Sequence, residues 1–378
     1  MHNLKKLKII TIIGTRPELI RLSILIPKLD LFFDHFLVHT GQNYDYELNE
    51  IFFNDLNIRK PDIFLECATG SVANTIAEVI KKSDEIFAKT NPDAVLILGD
   101  TNSSLAAITA KRRKIPIFHM EAGNRCFDMR VPEEINRKIV DHIADINLPY
   151  SDVAKENLIR EGINPDLIIK TGSPLFEVLQ NYNDKIEKST VFKELNLEKN
   201  NYFLISCHRQ ENIDSDKNIN LFNSIINKLE QNFKIPIIIS THPRTNKKLN
   251  NLKLKFNKNV ILCKPFSFTD YIYLQKNAFI VLSDSGSITE ESSILNFPAI
   301  NIREAHERQE GMEEGAVMFT GMDYDNILQA INILRTQKKG ENRTVSIVND
   351  YYTPNFSEKI IRIITSYTQY VNRKIWQK

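Results

Sequence analysis

The sequence predicts an α/β protein of two domains, each a parallel β-sheet with helices on both faces. Three observations carry this. The apolar runs are short and nearly continuous, amphipathic helical stretches lie between them, and the alternation starts twice along the 378 residues. Strands buried on both faces of a parallel sheet read as unbroken β-branched runs, whereas half-exposed strands alternate.

The first series opens with KIITII at 8–13, continues through HFLVHT, AVLILGD and IPIFHM, and ends near Thr171. Between its strands, Val72, Ile76, Val79, Ile80 and Phe87 keep one apolar face at helical spacing, stopped by Asn91-Pro92-Asp93. The second series runs from near Tyr202 to about Thr320 through NYFLISC, IPIIIST, VILC and FIVLSD. A polar stretch from Asn181 to Asn201, with room for one helix, makes the junction. The domains are therefore expected at 1–173 and 174–356. The periodic stretch from Ser357 to Val371 predicts a last helix, within 357–378, that crosses back onto the first domain. Two such halves are expected to face each other across a cleft at the carboxyl ends of their strands, where open α/β sheets bind ligands.

Composition removes several classes of function. Lys and Arg number 49 against 47 Asp and Glu, a net charge of +2, so no global field favours nucleic acid or an anionic membrane. Cys67, Cys126, Cys207 and Cys263 form no Cys-x-x-Cys pair, which argues against a zinc site or a disulfide framework and for reduced thiols. The apolar run from Ile9 to Ile13 is too short for a signal peptide, and Gly-Thr-Arg-Pro follows it. No stretch approaches the roughly 20 apolar residues of a membrane span, so a cytoplasmic location is expected.

Chemistry is expected at the strand ends. Gly14-Thr15-Arg16-Pro17-Glu18 follows the first strand and opens a helix, with Arg16 and Arg21 adding positive charge. An anion site and an ordinary capped turn both fit this pattern. Ser283 to Glu291 follows FIVL, and its small residues, Ser285, Gly286 and Ser287, would let backbone amides approach a phosphate. There Glu291 could accept from ribose hydroxyls, while a plain helix cap also fits. Neither G-x-G-x-x-G nor G-x-x-x-x-G-K-[ST] occurs, against a classical dinucleotide site and a P-loop. Asp100, Glu121 and Glu133 fall at strand ends or just beyond, and His208 ends NYFLISCH in the second half. Taken singly, Asp100 and Glu133 read as helix caps and His208 as a bonded loop histidine. Together they suit proton transfer, because burial and like charges move pKa values toward neutrality. His242, Arg308 and Tyr271 are weaker candidates; Tyr271 could stack on a base or simply fill the core.

These segments together resemble the non-hydrolysing UDP-N-acetylglucosamine 2-epimerase family. The matching pieces are GTRPE, GDT at 99–101, HMEAGNR at 119–125, PEEINR at 132–137, GSP at 172–174, CHRQEN at 207–212, THP at 241–243, DSGSITEE at 284–291 and HERQEG at 306–311, in the family's order across nearly the whole chain. The resemblance implies two Rossmann-like domains facing across a cleft, GT-B-like, with UDP bound there, and a homodimer. It implies elimination of UDP across C1 and C2, then re-addition with the C2 proton delivered to the other face, with no redox cofactor and no metal. Asp100, Glu121 and Glu133 match the family's catalytic carboxylates and His208 its catalytic histidine. Arg16, Arg21 and Arg137 match substrate-binding positions, although lysine is common where Arg21 stands. Ser285, Gly286 and Ser287 match the diphosphate turn, Glu291 and Arg308 nucleotide-binding positions, and Tyr271 the aromatic on uracil.

Two segments depart from members acting on UDP-N-acetylglucosamine. Their loop runs G-L-R-T and then W-P-E-E, where this chain has Gly123-Asn124-Arg125-Cys126-Phe127-Asp128-Met129-Arg130-Val131-Pro132. Their T-x-Q-H-R segment, tied to allosteric activation by substrate, is here Thr40-Gly41-Gln42-Asn43-Tyr44-Asp45-Tyr46. Both look like the branch that epimerises UDP-2-acetamido-2,6-dideoxy-L-talose to UDP-N-acetyl-L-fucosamine for capsule or O-antigen synthesis, the alternatives being the epimerase that gives UDP-N-acetylmannosamine and a GT-B glycosyltransferase. Gln309 stands where proline is usual.

Overall fold

The computed structural model describes residues 5–41, 52–207, 209, 215–241 and 256–378. The chain forms two compact units, one of Met1–Asn181 with Asp350–Lys378 and one of Tyr182–Asn349.

The sheet of the first unit has six parallel strands: β1 (Lys8–Ile13), β2 (Asp34–His39), β3 (Ile63–Phe64), β4 (Ala94–Leu98), β5 (Ile117–Met120) and β6 (Ile146–Leu148). Their order is β3-β2-β1-β4-β5-β6. This is the doubly wound order, and it reverses between β1 and β4, where a crevice opens at the strands' carboxyl ends. Every residue of β4 is buried, as its uninterrupted AVLIL requires. The helices that matter here are α1 (Arg16–Leu22), α2 (Leu25–Phe32), α3 (Val72–Thr90), α4 (Pro132–Ile143), α5 (Asp152–Arg160) and α6 (Leu175–Asn181). Helix α3 begins where the Ser71 side chain accepts from the Asn74 amide and ends where Asn91 turns left-handed at φ 46°. Its Val79 and Phe87 pack with Ile10, Ile12, Val95 and Ile97. Val72 is an exception to the expected apolar face, because it sits in the first turn and is exposed.

The second unit repeats the design with β7 (Phe203–Ser206), β8 (Ile237–Ser240), β9 (Val260–Cys263), β10 (Ile280–Ser283), β11 (Ala299–Asn301) and β12 (Met318–Phe319). All pairs are parallel and the order is β12-β11-β10-β7-β8-β9, so its reversal lies between β7 and β10. Helices α7 (Asp216–Phe233), α8 (Phe268–Asn277), α9 (Ser287–Leu295) and α10 (Tyr324–Leu334) cover it. Phe222 and Leu229 of α7 and Ile327 and Ile331 of α10 close one core against Phe203, Ile205, Ile239 and Leu282. Each such burial stabilises by roughly 1.5–3 kcal/mol before entropy is charged against it. The junction at 181–201 holds two short helices, Asn183–Glu187 and Val191–Leu195, where room for one was expected. Val191, Phe192 and Leu195 bury it against Tyr202 and Leu274.

The chain then returns. Helix α11 (Phe356–Lys374) packs beside α2 and buries Phe356, Ile360, Ile364 and Val371. Ser357 is held by Glu177 of α6, its amide at 2.9 Å from Oε2 and its hydroxyl at 2.6 Å from Oε1. The division of the chain falls after Asn181 instead of at 173/174, because α6 packs on α1. The return falls at Asp350 instead of 357, because the Ser173 amide donates to the Asp350 carbonyl at 3.0 Å. Among the described residues no helix is long and apolar enough to cross a membrane.

Candidate active site

In the first unit the candidate residues gather at the reversal between β1 and β4. Glu18 of α1 folds back so that its Oε2 accepts from the Gly14 and Thr15 amides at 2.5 and 3.0 Å. Its Oε1 accepts from the Thr101 hydroxyl at 2.7 Å. One carboxylate thus ties the loop after β1 to the loop after β4. These amides serve the chain's own Glu18, so they do not form the open anion site that GTRPE could equally have signified. Burial pushes the Glu18 carboxyl up to about 7, against the hydrogen bonds from Thr101 and the two amides. Gly14 is required: a Cβ there would lie 2.0 Å from Ser103 Oγ and 2.4 Å from Thr40 Oγ1. Arg16 lies 5.6 Å from the Phe52 ring and is only half-buried. Arg21 is buried, 5.7 Å from the Tyr150 ring, with Nε 3.8 Å from Glu121 Oε2.

Glu121 follows β5 in the left-handed region at φ 62°. A non-glycine residue held there stores roughly 1–3 kcal/mol of strain, which the surroundings must over-determine. Its amide donates to the Leu148 carbonyl at 3.1 Å, and its Oε1 accepts from Asn124 Nδ2 at 3.3 Å. Its Oε2 lies over Gly99, 3.9 Å from where a Cβ would stand. Asp100 is the next residue. Arg137 donates to its Oδ2 through Nε and Nη2 at 2.9 and 2.7 Å, and Asn136 Nδ2 donates to its carbonyl at 3.0 Å. Glu133 stands half-buried in the first turn of α4, whose first residue is Pro132. The structure therefore pairs Arg21 with Glu121 and Arg137 with Asp100, and Glu121 Oε2 lies over Gly99, the residue before Asp100. Neither Asp100 nor Glu133 caps a helix: Thr101 caps the turn after Asp100, and Val131 precedes α4.

Beneath these groups α4 turns a charged face inward, with Glu134, Arg137 and Asp141 all buried. The spacing of three and four residues places them on one side of the helix. Asp141 holds the Gly123 amide at 3.2 Å, Arg125 Nη1 at 2.7 Å and His119 Nδ1 at 2.9 Å. The other nitrogen of His119, Nε2, lies 2.9 Å from the Gly99 carbonyl. Burial disfavours the imidazolium, but the Asp141 hydrogen bond and charge outweigh it and hold His119 above the ordinary histidine range. Sequence reasoning missed Glu18, His119, Glu134 and Asp141. The available signals were the i to i+3 spacing of Glu134 and Arg137, and Glu18 at the third position of a capped helix.

In the second unit the reversal between β7 and β10 carries the serine turn. The Ser285 amide donates to Ser283 Oγ at 3.0 Å, the Ser287 amide to Ser285 Oγ at 3.3 Å, and the Ser285 and Ser287 hydroxyls lie 3.0 Å apart. A Cβ on Gly286 would stand 3.5 Å from Glu307 Oε2 and 4.0 Å from Arg209 Nη2 and Arg303 Nη1. The turn is thus ringed by two guanidinium groups and one carboxylate, and Glu307 pairs with Arg303 at 2.7 Å and with Arg209 at 3.7 Å. Arg308 reaches the buried Glu290 at 3.2 Å, and Gln275 donates to Glu291 at 2.6 Å. Tyr271 of α8 packs against the core, and burial, with the Glu291 charge, pushes its phenol upward. Arg209, Arg303 and Glu307 lie in loops and Gln275 and Glu290 on α8 and α9, and all five escaped the sequence reading, since a single polar residue carries no periodic signal. His208 and His242 lie outside the described residues.

Comparison with known proteins bears on this geometry. Residues 28–365 match the family model described as UDP-N-acetylglucosamine 2-epimerase. The chain is 34% identical over 368 residues to the UDP-N-acetylglucosamine 2-epimerase of Methanocaldococcus jannaschii, covering 95% of this chain and 99% of that one. It is 32% identical over 334 residues to the UDP-2,3-diacetamido-2,3-dideoxy-D-glucuronate 2-epimerase of Pseudomonas aeruginosa, covering 86% and 92%. Its fold is similar to that of UDP-N-acetylglucosamine 2-epimerase from Rickettsia bellii, with TM-score 0.92 and 51% identity over 99% of this chain and 100% of that one. The chain belongs to the UDP-N-acetylglucosamine 2-epimerase family of isomerases.

Proposed function

We propose that this UDP-sugar 2-epimerase acts on UDP-2-acetamido-2,6-dideoxy-L-talose and yields UDP-N-acetyl-L-fucosamine. The observation that carries the choice of sugar is the loop at 123–132, where Phe127 and Met129 are 65% and 60% exposed. Apolar side chains of this kind suit a 6-deoxy methyl group better than a 6-hydroxyl, which would lose its hydrogen bonds on burial. Family membership leaves the sugar open, since the Pseudomonas aeruginosa relative carries the name of a different one.

The mechanism proposed is elimination and re-addition. The C1–O bond to UDP breaks as the C2 proton leaves, giving a 2-acetamidoglycal and free UDP. UDP then re-adds while a proton is delivered to the opposite face of C2. The C2 proton is weakly acidic, so C1–O cleavage runs ahead and positive charge builds on the ring. Asp100, Glu121 and Glu133 are assigned to stabilising that charge and moving the proton, and His208 to assisting departure of the diphosphate. Ser285, Gly286 and Ser287 are assigned to the diphosphate, Glu291 and Arg308 to the nucleotide, Tyr271 to uracil, and Arg16, Arg21, Arg137 and His242 to the substrate. The reading places the reaction in the cytoplasm and in a homodimer, the latter measurable by light scattering.

A second reading is UDP-N-acetylglucosamine as substrate, favoured by the 51% identity to the Rickettsia bellii protein of that name. Proton NMR in D2O with each sugar separately decides. Deuterium at C2 with inversion only in the L-talo sugar is expected; exchange only in UDP-N-acetylglucosamine selects the second reading, and exchange in neither removes both.

A further inference from the structure

We propose that Glu134 is a positioning residue that couples the loop at 123–132 to the Asp100 carboxylate through Arg137. The inference rests on the 2-epimerase reading above, and it concerns a residue to which that mechanism gives no task. Glu134 is fully buried in the first turn of α4. Its Oε2 gathers three donors: the Cys126 amide at 3.1 Å, the Cys126 thiol at 3.3 Å and Arg137 Nη1 at 3.0 Å. Arg137, itself 4% exposed, spends Nε and Nη2 on Asp100 Oδ2 at 2.9 and 2.7 Å. One guanidinium is therefore shared between a structural carboxylate that grips the loop and a candidate catalytic carboxylate at the end of β4. A displacement of the loop at Cys126 shifts Glu134, and Arg137 carries that shift to Asp100.

The charges facing this chain of contacts come from several elements. Lys138 Nζ of α4 lies 3.8 Å from Glu134 Oε1, Cys126 faces it from the loop, and His119 of β5 feels the Asp100 charge. Removing the Glu134 charge withdraws a negative neighbour from Asp100 and a competing negative partner from Arg137. Both changes favour ionised Asp100, so the carboxylate becomes a weaker base. The limb of the kcat profile that Asp100 sets moves toward acid whether Asp100 acts as acid or base.

The experiment compares wild type, Glu134→Gln and Glu134→Asp on whichever of the two UDP-sugars wild type epimerises, following kcat, KM and their pH profiles, with thermal melting and UDP binding alongside. Glu134→Gln is expected to lower kcat about tenfold, leave KM and UDP affinity within about twofold, and move the Asp100 limb about one unit toward acid. Glu134→Asp keeps the charge but shortens the reach, so kcat falls while the limb stays near its wild-type pH. A purely structural residue would alter melting and leave the limb in place. Wild-type kcat and profile in Glu134→Gln would overturn the proposal. Should Glu134→Gln not melt cooperatively, Glu134→Asp decides, and unchanged kcat there overturns it. Loss of the fold in both would make Glu134 a folding residue, which also overturns it. Failure of wild type on both sugars strikes the function reading instead.

Discussion

Glu18 should make the first unit less stable as pH rises. Its carboxyl is buried at 2% exposure and titrates at about 7 in the fold, against 4.5 when free. Between those values the folded protein keeps a proton that the unfolded chain releases. Stability from this group is fully present below pH 4.5 and is lost as pH climbs through about 7. At about 1.4 kcal/mol per unit, the whole window is worth about 3 kcal/mol, of which about 2–3 kcal/mol falls between pH 5 and 8. Glu18→Gln keeps an oxygen for the Gly14 and Thr15 amides and an N–H for the Thr101 hydroxyl, but it does not titrate. The variant should therefore gain on wild type by that amount over the same interval. The chain supplies its own probe, because its one tryptophan, Trp376, belongs to the same unit and lies 5.0 Å from Lys111 Nζ. Urea unfolding followed by its fluorescence at pH 5 and pH 8 gives the difference directly. A gap between variant and wild type that does not change with pH would show Glu18 to be ionised in the native state and would refute the argument.

Other outcomes follow from the same geometry. Glu121→Gln should retain UDP binding in calorimetry and lose at least about 100-fold in epimerisation, because it removes the proposed proton-transfer group from a strained, pre-set position. Near-normal turnover would remove the carboxylate mechanism. Gly123→Ala should destabilise by more than about 3 kcal/mol or abolish soluble expression, since the backbone is at φ 81° and a Cβ would meet the Ala154 carbonyl of α5 at 2.2 Å; a melting temperature within a degree of wild type would contradict this. Gln275→Leu should raise KM for the UDP-sugar several-fold with kcat held, because Glu291 loses the donor at 2.6 Å that orients it. Equal KM values would detach Glu291 from nucleotide binding.

Much of the fold was legible because buried parallel strands announce themselves. Eight strands, β1, β2, β4, β5 and β7 to β10, coincide with apolar runs of four or more residues. The four that escaped, β3, β6, β11 and β12, are two or three residues long, too short for any period to emerge. They lie at or beside sheet edges, where a neighbour's register places them more than their own composition does. The candidate carboxylates were legible through position alone, as acidic residues following strands. Their supports were not. Glu134, Asp141 and His119 act through one helix face meeting a strand end, and nothing in a linear string says that a buried carboxylate on α4 will find the amide of Cys126. Glu18 stood in GTRPE without a role of its own, because its reach to Thr101, 83 residues away, depends on β1 and β4 being neighbours.

The return of residues 350–378 to the first unit has a consequence for how the molecule is made. Topologically, the second unit is an insertion into the first. It is a single continuous stretch, so it can complete its sheet as soon as its own residues have been synthesised. The first unit cannot: its six strands all precede the insertion, while the helix that seals α2 and receives Glu177 follows it. During synthesis the first unit therefore waits, with an apolar surface open, for a stretch that is made only after the whole of the second unit. A deletion that removes α11 should accordingly expose the unit that carries the carboxylates and spare the other. Conversely, because Ser173 bonds directly to Asp350, a short bridge from α6 to residue 350 should let the first unit close without its insert.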